Sequence, residues 1–230
     1  MNAATLHGVR LPQDVAAVII GASAGGVEAL MGLLGALPGN MQVPVICMLH
    51  MPANRDSRLA EVFAGRLSVP VLEAADKQAV ADATVYFAGS GYHLSLEQDR
   101  SFSLSCEPPV HFARPAIDVL MSSAADVYGD QLVGVLLTGA NADGAAGMAD
   151  IHARGGFTVV QDPEEAQVAT MPRAAIEACA PDLILTLAGI GELLGAIVAR
   201  AGPLPPSGQQ HHDNIRDESS AGQDDKVERP

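Results

Sequence analysis

Three short stretches of this 230-residue chain carry residue types that can do chemistry together. The first is Gly21-Ala22-Ser23-Ala24-Gly25-Gly26, which follows the apolar run Val15–Ile20 and precedes a helical pattern. Glycines at a strand-to-helix turn permit a sharp bend and leave backbone N–H groups open at a helix N-terminus, where negative charge is stabilised. A serine there reads either as a simple helix cap or as a nucleophile on an elbow with an oxyanion site beside it. A dinucleotide loop does not fit, because Ser23 stands at the second glycine of G-x-G-x-x-G and the next strand ends in Leu49-His50 with no acid for a ribose hydroxyl. A P-loop is excluded because no Gly-Lys-Ser/Thr follows. The second stretch is His50-Met51-Pro52, after the run Val43–Leu49. The third is Thr138-Gly139-Ala140-Asn141-Ala142-Asp143-Gly144, after Leu132–Leu137, where Asp143 is either the first residue of a helix or an acid aimed into a crevice. A serine attacks a carbonyl well only when a base takes its proton and an acid fixes the base's tautomer. Ser23, His50 and Asp143 supply one of each.

Those residues act together only if the fold brings the three turns to one edge. Short β-branched runs alternate with helical runs. Val15–Ile20, Val43–Leu49, Val69–Leu72, Leu132–Leu137, Phe157–Val160 and Leu183–Leu187 read as buried strands. Gly25–Leu37, Asp56–Leu67, Pro115–Tyr128, Asp143–Arg154, Pro172–Ala178 and Ile190–Ala201 read as helices. The expected fold is α/β: a doubly wound, mostly parallel sheet with helices on both faces. Thr84–Ala88, His93–Glu97 and Phe102–Cys106 interrupt the alternation and read as an inserted antiparallel hairpin. The expected strand order, 3-2-1-4, puts a switch point beside strand one, where doubly wound sheets place their ligands.

Composition narrows the field. Lys plus Arg number 13 against 27 Asp plus Glu, a net charge of −14. Sequence-independent nucleic-acid binding needs the opposite charge, as does docking on anionic lipid. Cys47, Cys106 and Cys179 stand far apart and form neither a disulfide framework nor a metal knuckle. No apolar stretch reads as a spanning helix or a signal peptide, so no membrane insertion and a cytoplasmic location are expected. After Gly202 the chain turns to Pro, Gln, Asp, Glu and Ser, so residues 1–202 are expected to be one catalytic domain and 203–230 a disordered acidic tail. His211-His212-Asp213 in that tail is a weak metal motif. Arg55 and Arg58 read as solvated helix charges, with a substrate groove as the other reading. His93 reads as structural or crevice-lining, and no partner is evident for His7, His111 or His152.

The three turns also occur in a familiar order with Arg114-Pro115-Ala116-Ile117-Asp118-Val119-Leu120, Leu136-Leu137-Thr138-Gly139, Asp143-Gly144-Ala145-Ala146-Gly147-Met148, Gln161-Asp162 and Met171-Pro172-Arg173-Ala174. Together they resemble the catalytic domain of the CheB-type chemotaxis protein-glutamate methylesterases over roughly Val15 to Ile197. The resemblance implies a serine esterase that hydrolyses glutamyl methyl esters on the cytoplasmic helical bundle of methylated chemoreceptors, with deamidation of glutamines as a second activity. It implies Ser23 as nucleophile, His50 as base and Asp143 as the orienting acid, with no metal and no organic cofactor. Ala24, Gly25, Ala140 and Met51 are the oxyanion or crevice candidates. Ala24 stands where the family has Thr, Ala140-Asn141 where it has Met-Gly, Leu49 where it has Gln and Thr170 where it has Gly. A catalytically weak relative that binds a receptor or signalling partner is therefore the alternative. The family commonly carries an N-terminal receiver domain, and none is expected here because the first strand begins near residue 15.

Overall fold

The computed structural model describes residues 5–6, 9–50 and 58–199. Met51, Arg55, His7 and the tail with its His211-His212 pair lie outside them. Two short strands, β1 (Thr5–Leu6) and β2 (Val9–Arg10), pair antiparallel ahead of the main body. Seven strands then form one parallel sheet: β3 (Ala17–Ala22), β4 (Val45–Leu49), β5 (Val71–Glu73), β6 (Val85–Phe87), β9 (Leu132–Leu136), β10 (Phe157–Gln161) and β11 (Leu183–Leu185). Their order is β11-β10-β9-β3-β4-β6-β5. β3, β4 and β9 are buried along their whole length. Strands covered on both faces read as continuous apolar runs, which is why the sequence shows blocks here and not alternation.

Among the described residues six α-helices cover the sheet. Side chains of α1 (Gly26–Gly35), α2 (Leu59–Ala64) and α6 (Leu187–Val198) share one apolar cluster with one face of the strands. Those of α3 (Ile117–Tyr128), α4 (Ala145–Ala153) and α5 (Thr170–Cys179) share a second cluster with the other face. The remaining strands, β7 (His93–Leu96) and β8 (Phe102–Ser105), form a separate antiparallel hairpin. Its Leu94, Leu96 and Phe102 are buried in the second cluster.

One expectation about this region needs correcting. Thr84–Ala88 is not part of the antiparallel insertion, because β6 lies between β4 and β5 and is parallel to both. The order on that side is therefore β5-β6-β4-β3, not a direct 3-2-1. The segment between β5 and β6 contains no helix, so the usual alternation signal is missing there. Tyr86 and Phe87, fully buried on opposite faces of the sheet, mark β6 as an interior strand.

Helix limits shift by a turn or less at most ends. α5 begins at Thr170 and takes Pro172 into its first turn, where a missing N–H costs nothing. The strand expected to reach Leu187 stops at Leu185, because Thr186 caps α6 by accepting the Gly189 N–H at 3.2 Å.

A candidate serine-histidine-aspartate active site

The site grows from strand register. β3 and β4 pair in parallel with Ala22 opposite Leu49, and the His50 N–H donates to the Ala22 carbonyl at 3.2 Å. Ser23 and His50 are the next residues on each strand. Neighbouring strands lie about 4.8 Å apart, so these two residues are adjacent at the carboxyl edge. On the other side β9 pairs with β3, Gly21 opposite Leu136. The Ser23 N–H donates to the Thr138 carbonyl at 2.9 Å, and this ties the serine turn to the turn that carries Asp143. Strand order reverses at β3, so the three turns meet at the switch point.

The helix-cap reading of Ser23 does not match the backbone. α1 starts at Gly26 and its N-cap is Gly25, in the left-handed region at φ +80°. A side chain at Gly25 would be strained, and its Cβ would collide with Gln167. Ser23 stands two residues earlier, half-buried, with its carbonyl accepting the Gly26 N–H at 2.8 Å. Among the described residues the N–H groups of Ala24 and Gly25 have no acceptor. The Ala24 carbonyl is held by the Thr138 hydroxyl at 2.8 Å, and that hydroxyl in turn accepts the Val168 N–H at 2.9 Å. The Gln161 side chain accepts the Thr138 N–H at 2.8 Å. The elbow is therefore fixed from β9, β10 and the segment before α5 at once.

Asp143 does not cap its own helix either. α4 is capped by Gly144, with φ +95°. The Asp143 carboxylate is fully buried and points at the start of α3. Oδ2 accepts the Ile117 N–H at 2.8 Å and the His50 Nε2–H at 2.7 Å, and Oδ1 accepts the Asp118 N–H at 2.9 Å. Burial alone would raise its pKa, but the hydrogen bond from His50 and the amides of Asp118 and Ile117 outweigh it and hold the carboxyl below the usual range. With Nε2–H donating to Asp143, Nδ1 is the nitrogen that faces away from the acid.

Asp118 completes this arrangement, in a role that the sequence alone does not reveal. Its Oδ1 accepts the N–H groups of Gly144 and Gly147, at 2.9 and 2.8 Å. Each helix thus has its first amides satisfied by the other's carboxylate: Asp143 serves α3 and Asp118 serves α4. Burial pushes the Asp118 carboxyl up, and the neighbouring Asp143 charge acts in the same direction, against the Gly147 and Gly144 amides and His111. The environments of the two carboxylates pull their affinities for a proton in opposite directions. Gly21 permits the close approach: a Cβ there would stand 2.5 Å from Ile117 Cγ2 and 2.9 Å from Leu136 Cδ1.

The other candidates sort clearly. His93 is structural, with Nδ1 accepting the Ala116 N–H at 3.3 Å and Nε2 donating to the Pro108 carbonyl at 3.1 Å. His111, which had no evident partner, lies with Nε2 3.3 Å from Asp118 Oδ2. His152 Nδ1 lies 4.0 Å from Asp182. Arg58 pairs with Glu61 at 2.6 Å on the exposed start of α2. Ala140 is exposed at the crest of its turn, and Asn141 Oδ1 accepts the Asp143 N–H at 3.3 Å. Among the described residues no three His, Cys, Asp or Glu side chains gather as a metal site, and no helix is long and apolar enough to cross a membrane. Thr138, Gln161 and Asp118 all stood inside recognisable motifs, but a role in positioning is visible only through hydrogen bonds between distant segments.

Comparison with known proteins bears on the family and the fold. A family model described as CheB methylesterase matches residues 18–194. A protein of Leptospira interrogans (strain Fiocruz L1-130), described as a putative protein-glutamate methylesterase/protein-glutamine glutaminase, is 43% identical over 177 residues, covering 77% of this chain and 92% of its own. A Clostridium acetobutylicum protein-glutamate methylesterase/protein-glutamine glutaminase is 33% identical over 190 residues, and the match spans 82% of this chain but only 55% of that protein. The crystal structure of the Thermotoga maritima CheB methylesterase catalytic domain superimposes with a TM-score of 0.76 at 31% identity, covering 80% of this chain and 100% of that one. Motif order, sheet topology and overall sequence thus lead to one assignment: the chain belongs to the CheB methylesterase family.

Proposed function

We propose that the chain is a serine-dependent protein-glutamate methylesterase, acting in the cytoplasm on methylated chemoreceptors through Ser23, His50 and Asp143. The observation that carries this reading is the 2.7 Å contact between His50 and the buried Asp143 carboxylate, one strand away from the Ser23 elbow. Asp143 receives Nε2–H, so Nδ1 is the base. It takes the Ser23 hydroxyl proton as Oγ attacks the ester carbonyl, and Asp143 stabilises the imidazolium that results. The open N–H groups of Ala24 and Gly25 receive the oxyanion, with Ala140 as a further crevice residue. Collapse of the tetrahedral adduct breaks the acyl–oxygen bond, and His50 returns its proton to the departing methoxide as methanol. Water then repeats the sequence on the acyl-enzyme and frees the glutamate and Ser23. A glutamine substrate follows the same path with ammonia as leaving group, which would account for glutaminase activity. In this reading the catalytic unit lies within residues 1–202.

The test is methanol release from methylated receptor membranes together with labelling by a fluorophosphonate probe. The expected result is turnover and probe attachment at Ser23, both lost in Ser23→Ala. Labelling of Ser23 without methanol release from receptor would point instead to an esterase for a different substrate. Receptor binding with neither labelling nor turnover would establish the non-catalytic alternative.

A further inference from the structure

The loop between β8 and α3 takes no part in these steps, yet it runs into the helix start that Asp143 holds. At its tip the Val110 N–H donates to the Ala113 carbonyl at 3.0 Å and the Ala113 N–H to the Val110 carbonyl at 2.8 Å, closing a two-residue hairpin. The central residues, His111 and Phe112, have φ +47° and +63°. This is the I′ type of turn, for which Asn-Gly is the favoured pair, because side chains are strained in the left-handed region. Among the described residues no other two consecutive non-glycine residues share that conformation. The Phe112 side chain is fully exposed, at 105%, so no packing within the domain offsets the strain.

The base of the hairpin is held firmly. The Arg114 guanidinium donates to the Cys106 and Glu107 carbonyls at 3.0 and 3.1 Å, and His93 grips Pro108 and Ala116 from either side. His111 meets Asp118, whose own amide bonds the Asp143 carboxylate. Tyr92, beside His93, is half-exposed beyond the carboxyl end of β6, the strand next to that of His50. Among the described residues the other large exposed apolar side chains, Val62, Leu72 and Ile184, belong to α2, β5 and β11. In a chain with only 5 Phe, 3 Tyr and no Trp, two exposed aromatic rings thus stand next to His111 and His93, which contact the start of α3 that Asp143 holds.

We infer that Phe112 is a rigid docking prong for the protein substrate, resting on the function proposed above. It lies against an apolar strip of the substrate helix next to the glutamyl ester and so sets the ester over Ser23, with Tyr92 extending the contact. The partner follows from charge as well as shape. With a net charge of −14, the chain offers little electrostatic attraction to glutamate side chains of a substrate, and a methyl ester is neutral. Recognition therefore falls on apolar contact, to which a ring already held out of the domain contributes without a rearrangement. Keeping a phenylalanine where glycine would relieve strain is a local conflict of the kind found at functional sites.

Phe112→Ala and Phe112→Gly separate this from a structural role. Both should lower kcat/KM on methylated receptor membranes about tenfold, mainly through KM. Hydrolysis of p-nitrophenyl acetate and fluorophosphonate labelling should be unchanged, and the Gly variant should melt at a higher temperature than the parent. Cosedimentation of Ser23→Ala protein with the same membranes should weaken by a similar factor when Phe112→Ala is added. Unchanged receptor turnover and cosedimentation, or equal losses on receptor and small ester, would overturn the prong. If the parent releases no methanol from receptor, the proposed function falls. The cosedimentation result then still decides the prong, with absent or unaltered binding counting against it.

Discussion

The two faces of the central sheet are built from different materials. On the side of α1 and α6 the cluster is built from apolar side chains: Leu30, Leu33 and Leu34 of α1 and Ile190, Leu194 and Ile197 of α6 pack together over one face of β3 and β9. On the side of α3 and α4, apolar residues such as Leu120, Met121, Met148 and Ile151 share the interior with Asp118 and Asp143, the two buried carboxylates among the described residues. The first face needs only volume and hydrophobicity, which many sequences satisfy. The second buries charge, and that is tolerable only because each carboxylate meets backbone amides or His50. One face thus contributes chiefly stability, and the other stability together with position.

That contrast can be broken by mutation. The largest effect is expected for Ser23→Ala, with methanol release falling by about 10⁴-fold or more and no change in melting temperature. Asp143→Asn should cost about 10⁴-fold as well, by disturbing the tautomer of His50. Unlike Ser23→Ala it should also lower the melting temperature, because its side-chain amide would face donors from Ile117 or Asp118. An Asp143→Asn protein as stable as the parent would erase the distinction between the faces. On the other face, Leu194→Ala should lose about 2–5 kcal/mol of stability while the folded fraction keeps its specific activity. A fall in kcat at temperatures where that variant is fully folded would show that position depends on both faces.

Smaller effects sharpen the comparison. Asp118→Ala should reduce kcat by about 10²-fold, the scale of a misplacement near 1 Å, since the Gly144 and Gly147 amides lose their acceptor. Asp118→Asn keeps an acceptor oxygen and should recover most of that loss. Equal defects in the two variants would assign the role to charge and not to position. The pH dependence of stability has a definite sign. The folded pKa of Asp143 lies below its unfolded value, about 3.9, so its contribution is complete above that value. The contribution is lost as the pH falls through the folded pKa, and the stability gap between the parent and Asp143→Asn should narrow in that window. Asp118 runs the other way: its raised pKa makes stability fall as the pH rises from about 3.9 through the folded value. Denaturant titrations at closely spaced pH values would read both slopes.

The two faces also differ in how far the sequence reveals them. Apolar blocks, Gly-Pro stops and the serine elbow fix the α/β class, the central strands and the identity of Ser23, His50 and Asp143 as candidates, because each is a local signal. The sequence pattern does not place β6 in the parallel sheet, because no helix precedes it and β-strands carry no local mark of which neighbour they join. Asp118, Thr138 and Gln161 were visible as motif residues without roles. Their hydrogen bonds reach Gly144, Ala24 and the Thr138 amide, across 26, 114 and 23 positions of chain. A single sequence has no periodicity that records such pairings. The sequence by itself therefore determined the elements and the chemistry available at their ends. Tertiary structure alone decided that Asp143 caps α3 and not α4, that Asp118 answers it, and that the Phe112 ring stands in solvent, since these follow from how distant backbone amides and side chains meet once the sheet is assembled.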